Sequence, residues 1–253
     1  MTSNTTKIYF ASDFHLGAPD AETSLKREKH LCKWLDIIKQ DAFEIYLVGD
    51  IFDFWFEYKH VVPKGYTRIM GKLAEIVDSG IPITFFKGNH DMWTFGYLEK
   101  EIGVKLISNE LVIERNGKTF YIHHGDGLGP GDGGYKLIKK LFRSKISVAL
   151  FGFLHPYIGV SLAKYLSLRS RISKGDSDKT YLGDEKEFIT LFCRQKLKEQ
   201  HYDYFISGHR HLPLDIQLTP DSRYINLGEW VNDFSYAVFD GTQIELKYFK
   251  PIH

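Results

Sequence analysis

The fold is decided by residues 7–15, KIYFASDFH, in which a short strand-like run ends in two potential metal ligands. The run 7–11 is rich in apolar and aromatic residues, which predicts a buried strand. Asp13 and His15 follow directly after its end. In layered α/β folds, ligands bind at the carboxyl ends of the strands. We therefore take Asp13 and His15 as candidate metal ligands at the edge of a sheet.

Four more blocks repeat this arrangement, each a cluster of glycine and metal-ligand side chains that follows an apolar run. They are Gly49-Asp50 with Asp53, Gly88-Asn89-His90-Asp91, His124-Gly125-Asp126 and Gly208-His209-Arg210-His211. Each block alone can be a turn, a helix cap or a hairpin. Five blocks after five predicted strands indicate instead one shared site at a single sheet edge.

The side chains in the five blocks are carboxylates, an amide and imidazoles. This mixed oxygen and nitrogen set suits Mn²⁺, Fe or Zn²⁺. Two such ions, about 3.5–4 Å apart, are the usual machinery for attacking phosphate esters. The blocks therefore predict an enzyme that acts on phosphorus.

The alternation of strands and helices predicts the fold class. Short apolar runs up to about Gly125 alternate with helical patterns at Leu25–Gln40 and Thr67–Ser79, which implies βαβ units with a largely parallel core. Further strands are expected downstream, at Ser108–Arg115, Lys118–His123, Tyr204–Ser207, Leu214–Leu218, Arg223–Leu227, Tyr236–Asp240 and Gln243–Phe249. We predict an α/β fold, a two-sheet α/β sandwich, with residues 1–253 forming one domain.

Bulk properties narrow the classes of function. The chain has 33 Lys and Arg against 32 Asp and Glu, so no global field favours nucleic acid. Its two cysteines, Cys32 and Cys193, lie far apart in predicted helices, which fits a reduced compartment and argues against a disulfide scaffold. Residues 1–6 are polar and contain no apolar signal-peptide core. We expect a cytoplasmic protein that does not bind nucleic acid.

Residues from about 133 to 180, which we call the lid, differ in composition from the rest. Gly133–Gly175 contains no Asp or Glu but nine Lys and Arg, and Ile146–Ala163 is uncharged and apolar. His155-Pro156 breaks this apolar run, which argues against a membrane span. One interpretation is a helical lid on an anionic membrane surface. The other is a set of helices that packs on the core with a solvated basic face.

Taken in order, the five blocks resemble those of the calcineurin-like metallophosphoesterase superfamily: D-x-H, G-D-x-x-D, G-N-H-D/E, H-G-D and G-H-x-H. The resemblance covers most of residues 7–215. It implies two divalent metal ions with the Asp50 carboxylate bridging them. The implied ligands are Asp13, His15 and His211 for the first ion, and Asn89, His124 and His209 for the second.

His90 is the main catalytic candidate, because it follows the implied ligand Asn89. It would donate to the developing charge on the phosphate or protonate the leaving oxygen. Asp91 is the second candidate, expected to orient the His90 ring. Asp53 is either an acceptor that holds a ligand imidazole or a turn cap. His123 faces away from the implied ligands on its strand and is expected to be structural.

A longer segment gives a more specific resemblance. His124-Gly125-Asp126-x-Leu128-x-x-x-Asp132-x-Gly134-Tyr135 is similar to a segment of the UDP-2,3-diacylglucosamine diphosphatases of lipid A biosynthesis, which also insert a basic, apolar helical lid here. The chain differs from better-known members at His90, often Arg there, and at Gly129, where they carry Cys.

This second resemblance implies hydrolysis of the pyrophosphate of UDP-2,3-diacylglucosamine to UMP and 2,3-diacylglucosamine 1-phosphate, usually with Mn²⁺. Its lipid-linked nucleotide sugar substrate further implies a peripheral protein on the cytoplasmic face of the inner membrane, held through the lid. The implied substrate-binding residues are Asn89, His90, Asp132, Tyr135 and Lys179.

Three other functions remain open to the sequence. A soluble metallophosphoesterase for nucleotides, dinucleoside polyphosphates or phosphoproteins would need the five blocks, with the lid as ordinary packing. A metal-free binding scaffold is disfavoured because the set of motif residues is complete. A nuclease is disfavoured because the chain is near neutral and its basic residues cluster with apolar ones.

Overall fold

The structure is a computed structural model that describes residues 7–129, 133–174, 180–183 and 185–250. Within those residues, the first of two sheets has six strands: β1 (Lys7–Ala11), β2 (Ala42–Leu47), β3 (Ile83–Phe86), β4 (Lys105–Ile107), β10 (Ser235–Phe239) and β11 (Ile244–Tyr248). They lie in the order β11-β10-β1-β2-β3-β4. Strands β1 to β4 are parallel, whereas β10 runs antiparallel to both of its neighbours.

The second sheet, in the same described part of the chain, has five strands. These are β5 (Leu111–Arg115), β6 (Lys118–Ile122), β7 (Tyr204–Ser207), β8 (Pro213–Thr219) and β9 (Ser222–Leu227). Their order is β5-β6-β7-β9-β8, and β6, β7 and β9 are mutually parallel. The hairpin between β5 and β6 turns at Asn116 and Gly117, which both have positive φ as a type I′ turn requires.

The sheets pack face to face, with helices on both outer faces. Phe10 and Tyr46 of the first sheet share one apolar cluster with Phe120 and Ile206 of the second. Helices α1 (Ala21–Ile38) and α2 (Thr67–Asp78) cover the outer face of the first sheet. Helix α6 (Phe188–Leu197) covers that of the second. The predicted two-sheet α/β sandwich is confirmed.

All five blocks lie at the carboxyl ends of parallel strands. Strands β1, β2 and β3 are neighbours in the first sheet, and β6 and β7 are neighbours in the second. Because the two sheets pack against each other, the loops that follow these five strands converge. We call this convergence of the five blocks the ligand edge.

Two predicted elements differ from the structure. Helix α1 begins at Ala21 rather than Leu25, because the Asp20 carboxylate caps it by accepting from the Thr23 N–H at 2.9 Å. The strand predicted at Ser108–Arg115 is present as β5 but begins later, at Leu111, and the sequence did not predict β4. Strand β4 ends the first sheet at Ile107, and the chain then crosses to the second sheet, where β5 begins.

The described part of the lid is helical, with α3 (Gly133–Phe142), α4 (Lys145–Phe153) and α5 (Pro156–Lys174). Its apolar side chains are unusually exposed, up to 88% at Phe153. No single helix among the described residues is long and apolar enough to cross a membrane. Helix α4 and the Pro156–Ser167 part of α5 meet both criteria together, across a bend of 120°.

Candidate metal centre

The ligand edge is built on strained backbone. Positive φ angles occur at Asp13 (55°), His15 (44°), Asp50 (55°), His209 (69°) and His211 (51°). Residues other than glycine rarely adopt this region, at a cost of about 1–3 kcal/mol each, and they do so mostly at functional sites. The five residues are all among the predicted metal ligands.

Hydrogen bonds between the loops hold this strained backbone in place. The Asp13 N–H donates to the Gly49 carbonyl and the His15 N–H to the Asp50 carbonyl, both at 3.0 Å. Two glycines allow the closest approaches. A Cβ atom at Gly88 would lie 2.1 Å from Asp50 Oδ1, and one at Gly208 would lie 2.2 Å from Asp13 Oδ2. Gly88 and Gly208 are therefore required by the close packing of a carboxylate against the backbone.

Three of the predicted ligands form a first cluster: Asp13, His15 and His211. The Nε2 atoms of His15 and His211 lie 3.0 Å apart. Asp13 Oδ1 is 3.2 Å from His211 Nε2 and 3.7 Å from His15 Nε2. Asp13 and His15 are buried, so their polar atoms converge away from bulk water.

The other predicted ligands form a second cluster. His124 Nε2 lies 3.3 Å from Asp50 Oδ2 and 3.3 Å from Asn89 Oδ1, and His209 completes the group. His124 Nδ1 is 2.8 Å from the Val48 carbonyl, which only accepts, so Nδ1 donates there and Nε2 is the nitrogen that faces the oxygens of the cluster. Because Asp50 Oδ2 is also 4.0 Å from the His15 ring, Asp50 lies between the two clusters.

These donors fit divalent cations. Among the described atoms, the buried Asp13 Oδ1 has no hydrogen-bond partner. Burial opposes charge on His15, yet the nearby Asp13, Asp53 and Asp50 carboxylates raise its pKa to about 9. Burial likewise opposes charge on His124, and Asp50 still raises its pKa to about 10. The clusters therefore favour positive charge, which bound divalent ions would supply in place of the ring protons.

His90 lies beside the first cluster, with its ring edge-on to His15 at 4.8 Å between centroids. Its Nδ1 is 2.8 Å from the main-chain carbonyl of Asp53, so Nδ1 donates and carries a proton. The remaining nitrogen, Nε2, is the one that can exchange a proton. Burial is the largest influence on this ring and lowers its pKa.

The expected role of Asp91 in orienting His90 is corrected by the structure. The Asp91 carboxylate turns beneath the loop, where it accepts from the Gly88 N–H at 2.7 Å and the Ile51 N–H at 2.8 Å. Burial, followed by the charge of Asp50, raises the pKa of Asp91 to about 7. Asp91 therefore connects the second and third blocks through hydrogen bonds. The group that orients the His90 ring is the main-chain carbonyl of Asp53, not the Asp91 carboxylate.

The remaining predicted residues divide into two groups. His123 is buried and its Nδ1 accepts from the Gly125 N–H at 2.7 Å, a structural role as expected. Tyr135 belongs to helix α3, but its side chain lies outside the described part of the chain, as do Asp132 and Lys179. Their contacts with substrate stay predictions.

Arg27 supports the ligand edge and was not predicted. Its Nη1 donates to the carbonyls of Phe14, His15 and Ala18 at 2.9–3.2 Å, and the side chain is buried. It thereby fixes the backbone around His15. The only signal in the sequence is its place four residues before Leu31, on the apolar face of α1.

Arg210 lies between the two predicted ligands His209 and His211. Its structural role was not predicted from the sequence. Its Nε and Nη2 atoms donate to the two oxygens of the buried Glu187 carboxylate at 3.0 and 2.9 Å. Nη2 also donates to the Thr180 carbonyl at 3.1 Å. The pair joins the fifth block to the segment that leads from the lid into α6.

The lid contacts the ligand edge through both apolar and polar groups. Phe151 of α4 packs on Trp93 and Phe56, with ring centroids 4.7 and 4.8 Å apart. Lys139 of α3 donates to Asp126 Oδ2 at 2.7 Å. Phe151 thus points inward, whereas Phe153, two residues later on α4, points to solvent.

Comparison with known proteins agrees with this geometry. The profile of the calcineurin-like phosphoesterase family matches residues 6–213. The chain belongs to this family. It is therefore a hydrolase of the metallophosphoesterase type, and the Asp and His clusters imply divalent metal ions.

Three relatives are named UDP-2,3-diacylglucosamine hydrolase. The chain is 39% identical to that of Porphyromonas gingivalis over 254 residues, covering 95% of this chain and 97% of that one. It is 29% identical to that of Proteus mirabilis, covering 81% and 85%. It is 27% identical to that of Vibrio atlanticus, covering 95% and 96%.

Proposed function

We propose that this protein hydrolyses the pyrophosphate bond of UDP-2,3-diacylglucosamine, releasing UMP and 2,3-diacylglucosamine 1-phosphate for lipid A biosynthesis. The observation that carries the proposal is a lid of exposed apolar and basic helices packed over a phosphoesterase centre. A substrate with an anionic pyrophosphate and two acyl chains needs both features. A relative with 39% identity over nearly the whole chain is named for this substrate.

The proposal assigns two divalent ions, preferably Mn²⁺, to the ligand edge. Asp50 lies between the clusters and would be shared by both ions. When bound, such a pair neutralises phosphate charge and activates water at neutral pH. The residues that would hold the first ion are Asp13, His15 and His211, and those that would hold the second are Asn89, His124 and His209.

His90 is proposed as the residue that moves a proton during cleavage. Its Nδ1–H is committed to the Asp53 carbonyl, so the ring is held in one orientation and Nε2 faces the reaction. With the ring protonated, Nε2 gives a proton to the leaving phosphate oxygen, and burial makes this imidazolium a stronger acid. Asn89, Asp132, Tyr135 and Lys179 are proposed to contact the substrate alongside it.

The lid is proposed to take the acyl chains and to rest on the membrane. Exposed apolar side chains line it, including Leu137, Ile146, Leu150, Phe153 and Tyr157. Basic residues surround them, and Gly133–Gly175 contains no Asp or Glu, a composition that favours binding to an anionic leaflet. We infer a peripheral protein on the cytoplasmic face of the inner membrane.

The test is Mn²⁺-dependent release of UMP from UDP-2,3-diacylglucosamine in mixed micelles. UDP-N-acetylglucosamine, a dinucleoside polyphosphate and p-nitrophenyl phosphate are assayed in parallel. We expect rapid turnover of the diacylated substrate alone. Equal or faster reaction of the soluble phosphates would overturn the substrate assignment in favour of a soluble metallophosphoesterase.

A further inference from the structure

Asp53 connects two functional side chains of the ligand edge. Its carboxylate Oδ1 lies 3.5 Å from His15 Nδ1 and 3.6 Å from His90 Nδ1. Its main-chain carbonyl accepts from the same His90 nitrogen. Asp53 is buried, so its own orientation depends on the groups that contact it. Such outer partners hold ligand rings in place.

One of those groups comes from the lid. Ser167 Oγ of helix α5 donates to Asp53 Oδ2 at 3.1 Å, across 114 residues of sequence. The residues just before it, Tyr165 and Leu166, are exposed. Ser167 therefore links helix α5 to the polar groups of the ligand edge.

The inward face of α5 brings Ser167 to this position. Gly159, Ala163 and Ser167 recur every four residues and are less exposed than their neighbours, so they lie on one face of the helix. Near the N-terminal end of α5, a Cβ atom at Gly159 would lie 2.3 Å from Tyr58 Oη. Helix α5 is therefore close to the loop that follows Asp53. The position of Ser167 depends on how α5 packs against this loop, which we call the seating of the helix.

We propose that Ser167 is a positioning residue that couples the seating of the lid to the catalytic centre through Asp53. With α5 seated, Ser167 fixes the Asp53 carboxylate, and Asp53 fixes the rings of His15 and His90. With α5 displaced, the carboxylate loses this donor and both rings lose a restraint. The inference deepens the proposed function, because lipid engaged by the lid then affects the rate of hydrolysis as well as binding.

The test uses the full-length protein and the soluble diester bis(p-nitrophenyl) phosphate, with Mn²⁺ affinity measured separately by calorimetry. For Ser167→Ala we expect kcat to fall about tenfold with KM unchanged, as for loss of one hydrogen bond to a charged group. Mn²⁺ affinity should fall about threefold, less than for a direct partner of a ligand. Ser167→Thr, which keeps the hydroxyl, should restore both values.

Ser161→Ala is the matched control, because Ser161 is an exposed serine on the same helix. It should behave as wild type. A double-mutant cycle with Asp53→Asn then tests whether the effect of Ser167 passes through Asp53. We expect Ser167→Ala to have little further effect on Mn²⁺ affinity once Asp53 is changed.

Two results would overturn the inference. In one, Ser167→Ala leaves both Mn²⁺ affinity and kcat for the diester unchanged, which would show that Ser167 does not act on the catalytic centre. In the other, its effect is the same with and without Asp53→Asn. A failure to cleave UDP-2,3-diacylglucosamine would refute the proposed function but would not alter these results, since neither assay uses lipid.

Discussion

The ligand edge and the lid are opposite in their physical character. At the ligand edge, carboxylates and imidazoles are buried on strained backbone and held by hydrogen bonds between loops. In the lid, apolar side chains face solvent among basic residues. The first arrangement concentrates charge at the candidate metal centre, and the second leaves apolar area exposed. Under the proposed function, this contrast teaches that chemistry and choice of substrate belong to separate parts of the chain.

The largest effect is expected at the ligand edge. Asp50→Ala should lower turnover of every substrate by more than about 100-fold, because loss of a direct ligand costs more than the 10–100-fold typical of a supporting residue. Metal content should fall while the far-UV circular dichroism is kept. Asp78→Ala, at an exposed position at the end of α2, is the control. Turnover within about tenfold of wild type would exclude the shared-ligand role.

His90→Gln should lower kcat for every substrate by about 100-fold, since one proton donor is removed. Metal content should stay at the wild-type level, as measured by elemental analysis. The control is His60→Gln, an exposed histidine away from the blocks. A parallel loss of metal would show that His90 is itself a ligand.

The lid offers a matched pair of phenylalanines two residues apart on α4. Phe153→Ser should lower binding to anionic vesicles about tenfold, because an exposed aromatic side chain is lost from the membrane contact, and should leave p-nitrophenyl phosphate turnover unchanged. Phe151→Ser should destabilise the protein by roughly 2–3 kcal/mol, because its ring packs against Trp93 and Phe56.

Vesicle sedimentation and chemical unfolding distinguish the members of this pair. An equal loss of stability in both variants would contradict the assignment of Phe151 to the inward face of α4 and Phe153 to the outward face. Vesicle binding of Phe153→Ser as tight as that of wild type would contradict the role of Phe153 in the membrane contact.

The smallest effect concerns salt. Raising ionic strength from about 0.05 to 0.5 M should weaken binding to anionic vesicles several-fold, because it screens the basic residues of the lid. Hydrolysis of a soluble phosphate should change less, since the charges of the ligand edge are buried. Light-scattering titrations at both salt concentrations make the comparison. If vesicle binding did not change with salt concentration, the basic residues would not contribute to it and the lid would bind through apolar contacts alone.

Local sequence predicted the ligand edge well, because each block follows its own strand. Asp13 and His15 are two residues apart on one loop, so their closeness needs only the strand before them to be recognised. Their positive φ angles were not predictable, since these arise from hydrogen bonds to the loop after β2. The role of Asp91 was misjudged because adjacency in sequence to His90 was taken for contact.

Long-range contacts account for what the sequence did not reveal. Ser167 meets Asp53 across 114 residues, and Arg210 meets Glu187 only after the chain returns from the lid. Neither pair has a periodicity or a motif that marks it. Strand β4 is only three residues long and lies at a sheet edge, so its pattern was too short to be predicted from the sequence.

The separation of chemistry from substrate choice is tested most directly by one triple variant, Leu150→Ser, Phe153→Ser and Tyr157→Ser, all exposed on the lid. The measurement is the ratio of kcat/KM for UDP-2,3-diacylglucosamine to that for p-nitrophenyl phosphate, with Mn²⁺ present. We predict that the ratio falls at least about tenfold, the value of one lost apolar anchor, while the soluble rate is unchanged. An unchanged ratio, or an equal fall in both rates, would contradict the account.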